Sequence, residues 1–235
     1  MIDGTTPTLN PSTGHRLDVG TSAPAGAKRR RVWPIAKSVG DRLASVVLLI
    51  VIAPLLLLVA ILIKLDSPGP VLFRQVRVGR YGELFTVLKL RTMRDKSSAE
   101  LHRRYIAALA TGDPADGTVL KKLVDDPRVT RIGAFLRRSS LDELPQLVNV
   151  LRGEMSVVGP RPALAYELEF YEPQHFDRFA VRPGLTGLWQ VSGRSELGFL
   201  PMLSLDSEYA RTTSLQVDAL ILLRTPLTLL RKNAA

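Results

Sequence analysis

The chain of 235 residues contains no cysteine and only three histidines, His15, His102 and His175. Without a thiol there is no disulfide framework, thiolate nucleophile, zinc finger or iron–sulfur cluster. The histidines stand far apart with no metal-ligand spacing, which sets aside a zinc hydrolase. Neither GxxxxGK(S/T) nor GxGxxG occurs, so no nucleotide fingerprint is present. Aromatic residues make up 6% of the chain, few for a surface that stacks bases.

What is present is positive charge. Lys and Arg number 32 against 22 Asp and Glu, a net +10, which favours nucleic acid, a membrane surface or a phosphorylated substrate as partner. Residues 1–42 carry +4 of this and residues 43–63 carry none. The run Lys28-Arg29-Arg30-Arg31, close to an apolar segment, reads as an anchor for anionic lipid headgroups. Residues 1–27, rich in Thr, Ser, Pro and Gly, read as a disordered tail, and the apolar stretch starts too late and runs too long for a signal peptide.

Leu43 to Ile63 is apolar throughout except for Ser45. As a helix it is about 31 Å long, enough to span a bilayer. Length alone favours a single spanning helix. Pro54 at its middle predicts a kink, because proline removes one helical hydrogen bond and crowds the preceding turn. Both flanks are basic: Lys28, Arg29, Arg30, Arg31, Lys37 and Arg42 on one side, Lys64, Arg74, Arg77 and Arg80 on the other. The positive-inside bias keeps both ends in the cytoplasm, which a helix bent at Pro54 and re-entering the same leaflet satisfies.

Beyond the turn Asp66-Ser67-Pro68-Gly69-Pro70, two apolar runs flank Gly79-Arg80-Tyr81-Gly82-Glu83 and predict a short β-hairpin. Residues 95–110 read as an exposed helix and 111–118 as a loop. Leu144, Leu147, Val148 and Leu151 repeat at helical spacing and predict an amphipathic helix ending at Gly153. Ser140 and Glu143 have capping-box spacing, so structural roles for Glu143 and for Asp142, in the first turn, compete with functional ones. The functional reading comes from the neighbours. Two adjacent carboxylates follow Arg137 and Arg138 at a helix N-terminus, a place that favours anions. A carboxylate kept ionised beside a phosphate surface can attack phosphorus or hold Mg²⁺ together with substrate phosphates. Lys89, Arg91 and Arg161 are further candidate phosphate partners, although any one of them taken singly reads better as ordinary surface charge. The turns Gly159-Pro160-Arg161-Pro162 and Arg182-Pro183-Gly184-Leu185-Thr186-Gly187 read, as patterns, as loop chemistry. Leu215 to Lys232 predicts a helix whose wide apolar face packs on the core or lies in the membrane interface.

Taken together, Ser139-Ser140-Leu141-Asp142-Glu143-Leu144-Pro145-Gln146-Leu147, Asn149-Val150-Leu151, Val158-Gly159-Pro160-Arg161-Pro162, Phe73-Arg74-Gln75-Val76-Arg77-Val78-Gly79, Lys89-Leu90-Arg91-Thr92-Met93 and Arg182 to Gly187 with Trp189 to Arg194 resemble the bacterial sugar transferases. These are monotopic polyprenol-phosphate sugar-1-phosphate transferases, and the resemblance covers roughly residues 35–232. It implies an α+β, mainly helical fold: a monotopic membrane protein with a Pro-kinked re-entrant N-terminal helix, a small β-hairpin and interfacial amphipathic helices. The implied division is a disordered basic tail over 1–33, a re-entrant membrane helix over 34–64, and a cytoplasmic catalytic domain with membrane-surface helices over 65–235.

The implied reaction moves a sugar-1-phosphate from a UDP-sugar to undecaprenyl phosphate and releases UMP. It is the first membrane step of exopolysaccharide, capsule or glycan assembly, at the cytoplasmic face of the bacterial inner membrane. The resemblance makes Asp142 the nucleophile of a covalent phosphosugar intermediate and Glu143 a ligand of the Mg²⁺ cofactor. Arg137 matches a phosphate-contacting position and Arg161 the arginine of the family's Pro-Arg-Pro turn, with Lys89 and Arg91 as further phosphate- or substrate-binding residues. No nucleic acid is implied, and self-association is left open. This chain departs from many members in having Ala53, not Ser, before Pro54. It looks like the short form, without the bundle of spanning helices that larger relatives carry. Competing readings are a membrane-anchored basic binding protein without catalysis, and a sugar-phosphate transferase acting on a different lipid or head group.

Overall fold

The computed structural model describes residues 17, 19, 32–94, 103–104, 106–107, 126, 128–193 and 198–232. Most of the helix expected over 95–110, the whole loop expected over 111–118 and nearly all of the tail lie outside these residues.

Among the described residues the fold is α+β and mainly helical, with two small sheets. Helix α1 runs from Val32 to Asp66 with Pro54 inside it. Strands β1 (Leu72–Val78) and β2 (Leu84–Leu90) then form the expected antiparallel hairpin, with Leu72 opposite Leu90 and Val78 opposite Leu84. Its turn places Tyr81 in the left-handed region, at φ 56°. Helix α2 (Arg131–Ser139) and helix α3 (Gln146–Arg152) are joined by a 3₁₀ turn at Leu141–Glu143. Strand β3 (Ser156–Val158) pairs in parallel with β4 (Gly184–Thr186), across two intervening 3₁₀ segments, Ala165–Phe170 and Pro173–Ala180. Helices α4 (Leu188–Ser192), α5 (Phe199–Thr212) and α6 (Leu215–Lys232) complete the chain.

Helix α1 holds to the rest of the protein near both of its ends. Toward its start, Lys37 Nζ lies 2.6 Å from Asp218 Oδ2 of α6, Ser156 Oγ donates to Asp41 Oδ2 at 2.5 Å, and Arg182 Nη1 donates to Ser38 Oγ at 3.1 Å. Toward its end, Val59 and Ile63 are buried with Leu90 of β2 and Leu136 of α2. Between these anchors the helix is apolar and open, with Val47, Ile50, Val51 and Leu57 each 60–70% exposed. Helix α6 is similar: Ile221 is fully buried while Leu223 and Leu227 are 74% and 60% exposed. Two helices thus carry large apolar surfaces that the described residues do not cover, the sign of a membrane or partner face.

Part of the stretch expected as a tail docks on the hairpin. Leu17 and Val19 are buried with Val78, Ala163, Leu168 and Phe179, and Leu17 N donates to Gly82 O at 2.9 Å. Gly82 (φ 79°) permits that approach, since a Cβ there would stand 2.2 Å from Leu17 O.

Candidate active site

The Asp142-Glu143 pair sits where two helices meet. Helix α2 starts from Thr130, whose Oγ1 accepts from Gly133 N at 2.9 Å. It stops at Ser140, which adopts the left-handed conformation (φ 58°, ψ 18°). A non-glycine residue takes this conformation only where its surroundings hold it there. The chain turns sharply at Ser140 and presents Asp142 and Glu143 in a separate 3₁₀ turn before Pro145. The expected capping box is not formed: the Ser140 side chain makes no cap hydrogen bond, because the backbone is left-handed where a cap requires the β region. Helix α3 begins at Gln146 and ends, as expected, at Gly153, which is left-handed at φ 77°.

With no box to close, Glu143 faces the hairpin. Its Oε1 lies 2.9 Å from Lys89 Nζ on β2, both side chains being partly exposed. Strand β2 is held in place by Asn149 of α3, which is fully buried. Asn149 Oδ1 accepts from Leu88 N at 3.1 Å, and its Nδ2 donates to Thr86 O at 2.7 Å and to Glu154 Oε2 at 2.6 Å. One amide thus satisfies the outer edge of a two-stranded sheet and ties Lys89 to the helix that follows the carboxylates.

Arg137 projects from the last turn of α2, and its Nε donates to Thr92 Oγ1 at 3.0 Å. Close packing allows this. Gly133 abuts the segment after β2, and a Cβ there would lie 2.0 Å from Thr92 O. Arg91, two residues after Lys89, goes elsewhere: its guanidinium donates to the carbonyls of Ser67, at 2.7 Å, and of Pro68, fastening the chain where it leaves α1.

The turns bearing Arg161 and Arg182 form one unit. Gly159 N donates to Thr186 O and Gly184 N to Pro160 O, both at 2.8 Å. A Cβ on Gly184 would lie 2.1 Å from Gly159 N, so the glycines are there to let two backbones touch. Arg77 of β1 joins this unit to the hairpin. It is 7% exposed, its Nη1 donates to Pro162 O at 3.0 Å, and its Nη2 donates to Gln75 Oε1 at 2.7 Å. Burial lowers its pKa to about 10; the charge of Arg161 pushes the same way, and Glu167, Tyr166 and Glu143 oppose it. Arg77 therefore stands in the field of both Glu143 and Arg161, although nothing in its spacing separates it from the surface arginines around it. Arg161 Nη1 lies 3.5 Å from Glu167 Oε1.

The arrangement is two adjacent carboxylates on a strained turn, one of them held by a lysine, with arginines on three neighbouring elements. Such a site can bind a polyanion and set an oxygen nucleophile against it. The chain belongs to the bacterial sugar transferase family, which it matches over residues 32–232. It is 41% identical over 196 residues to the exopolysaccharide production protein ExoY of Rhizobium meliloti, covering 83% of this chain and 86% of that one. It is also 41% identical over 235 residues to the UDP-glucose:undecaprenyl-phosphate glucose-1-phosphate transferase of Caulobacter vibrioides, covering 94% and 82%. To the undecaprenyl-phosphate galactose phosphotransferase of Salmonella typhimurium it is 40% identical over 198 residues, covering 83% of this chain and 40% of that protein. The chain is an enzyme of the phosphoglycosyl transferase class.

Proposed function

We propose that this enzyme transfers a sugar-1-phosphate from a UDP-sugar to undecaprenyl phosphate through a covalent intermediate on Asp142. The observation that carries this reading is the left-handed turn at Ser140, which sets Asp142 beside a Glu143 already held by Lys89, with Arg137 one turn upstream. An Asp142 carboxylate oxygen attacks the sugar-bearing phosphorus of the donor. The bond from that phosphorus to the UMP oxygen breaks, and UMP leaves with the electron pair. A phosphate oxygen of undecaprenyl phosphate then attacks the same phosphorus and frees the Asp142 carboxylate, leaving a diphosphate-linked sugar. Arg137 and Arg161 balance charge on the diphosphate, and Lys89 aims Glu143.

The donor set suits Mg²⁺. Asp142 and Glu143 offer only oxygen, and among the described residues no cluster of three or more His, Cys, Asp or Glu could hold a metal. Mg²⁺ characteristically takes one or two carboxylates and fills its remaining positions with water and substrate phosphates. Glu143, with Asp142 beside it, would hold the ion, which when bound neutralises diphosphate charge.

The anchoring of α1 supports a re-entrant, monotopic placement at the cytoplasmic leaflet. From Asp41 to Ile63 is about 22 residues, or roughly 33 Å of helix, close to the thickness of the hydrocarbon core. Both ends of that span touch the same folded body, through Ser156 at one end and Leu90 and Leu136 at the other. A spanning helix would have to carry parts of that body on both sides of the bilayer. Bending at Pro54 lets the open apolar middle enter the membrane while both ends stay on one side, and the exposed leucines of α6 lie in the interface.

The test is UMP release from a UDP-sugar in the presence of undecaprenyl phosphate and Mg²⁺. Wild-type enzyme releases UMP and Asp142→Asn does not. Full activity in that variant removes Asp142 as nucleophile.

A further inference from the structure

Arg161 lies in a turn, where no ladder of helical or sheet hydrogen bonds fixes the direction of a side chain. Its carbonyl is instead held from behind by Arg178. Arg178 Nη2 donates to Arg161 O at 2.6 Å and to Asp206 Oδ2 at 2.6 Å, and Nη1 donates to the Tyr171 hydroxyl. The side chains of Arg178 and Asp206 are 2% and 0% exposed. A guanidinium is rigid and planar, so fixing its outer nitrogens on Asp206 and Tyr171 fixes the direction of the bond to Arg161. The far end of Arg161 faces a second buried charge. Glu167, 1% exposed, accepts from Leu164 N at 3.0 Å with Oε2 and turns Oε1 toward Arg161 Nη1.

This ion pair is poorly suited to a purely stabilising role. A buried pair gains little over a well-packed apolar one. The Asp206 carboxylate also takes a hydrogen bond from the Arg161 backbone, so the pair meets the turn that bears Arg161 on both its carbonyl and its amide side. What the pair accomplishes is geometric: it links α5, the segment Pro173–Ala180 and the Arg161 turn through one guanidinium.

We propose that Arg178, oriented by Asp206 and Tyr171, is a positioning residue that sets where the Arg161 guanidinium meets a phosphate group of the substrate. The proposal rests on the reading of Arg161 as a phosphate contact, and its test separates the two.

The experiment is a double-mutant cycle on the full chain in detergent, reading kcat and KM for UMP release together with the thermal midpoint. Arg161→Ala lowers kcat/KM by about 100-fold. Tyr171→Phe, which deletes one oxygen, lowers it by about 3- to 10-fold with little change in midpoint, and Asp206→Asn lowers it further. In the Arg161→Ala background each second substitution changes kcat/KM by less than about twofold, because the group being positioned is gone. Effects of the same size in both backgrounds overturn the positioning role, as do unchanged kinetics in Tyr171→Phe. If Asp206→Asn does not fold, the Tyr171→Phe cycle decides alone. Wild-type activity in Arg161→Ala removes the phosphate role of Arg161 and the proposal with it, whereas loss in that variant with additive second effects removes the positioning alone.

Discussion

Lys89 Nζ stands 2.9 Å from Glu143 Oε1, joining the hairpin to the turn that carries both site carboxylates. The pair is partly exposed, so its worth to stability is small. Under the proposed reaction its worth is in the direction it gives the Glu143 carboxylate. Lys89→Met is therefore expected to lower kcat/KM by about 100-fold while the thermal midpoint changes little. Arg91→Ala, which strips donors from the Ser67 and Pro68 carbonyls, is expected to do the reverse, lowering the midpoint more than the chemistry.

Gly133 is a second lever on the site, acting through Arg137. Replacing a helical glycine by alanine ordinarily stabilises a helix by about 0.5–1 kcal/mol. Here the new Cβ would stand 2.0 Å from Thr92 O, and the same threonine receives Arg137 Nε. Gly133→Ala is expected to cost about 1–3 kcal/mol through overpacking and to lower activity with it. Thermal melting and UMP release measured together check this.

The sequence and the structure meet unevenly around these residues. The hairpin was readable because two apolar runs flank a glycine-marked turn, and Asp142 and Glu143 because they are adjacent carboxylates after two arginines. Ser140 misled: its spacing to Glu143 is that of a capping box, and only the packing that forces it left-handed turns Glu143 toward Lys89. Strands β3 and β4 are three residues each, too short to show alternation. The roles of Arg77, Arg178 and Asp206 leave no local pattern, since each depends on a partner distant in the chain. Lys89 and Arg91 are two residues apart, a spacing that strand alternation puts on one face, yet Arg91, just past the end of β2, meets backbone carbonyls while Lys89 meets Glu143.

Acid stability turns on His175. Its Nδ1 accepts from Glu172 N at 3.1 Å, and the residue is 2% exposed. Burial holds the imidazole below its usual pKa, the charge of Arg178 adds to this, and Glu172 opposes it. Because the folded protein binds this proton less readily than the unfolded chain, the contribution of His175 is present above about pH 6.5 and is lost as pH falls through the lowered folded value. Asp206, pushed up to about 6 by burial against the pull of Arg178, acts in the opposite sense over an overlapping range. The comparison that isolates His175 is with His175→Asn. The wild-type thermal midpoint is expected to fall more steeply between about pH 7 and 5 than that of the variant.

The absence of cysteine makes the topology directly measurable. Ala36 and Pro70, on either side of the membrane segment, are both exposed. Single cysteines placed there are expected to react with an impermeant maleimide from the cytoplasmic side alone. Reaction from opposite sides would restore a spanning helix.

The covalent step is the centre of the account, and intact-protein mass spectrometry reads it directly. Wild-type enzyme given a UDP-sugar and Mg²⁺ without a lipid acceptor is expected to gain the mass of one sugar phosphate, to lose it on addition of undecaprenyl phosphate, and to show no gain as Asp142→Asn. Turnover by the wild type with no adduct at any time, or an adduct that persists in Asp142→Asn, would contradict it.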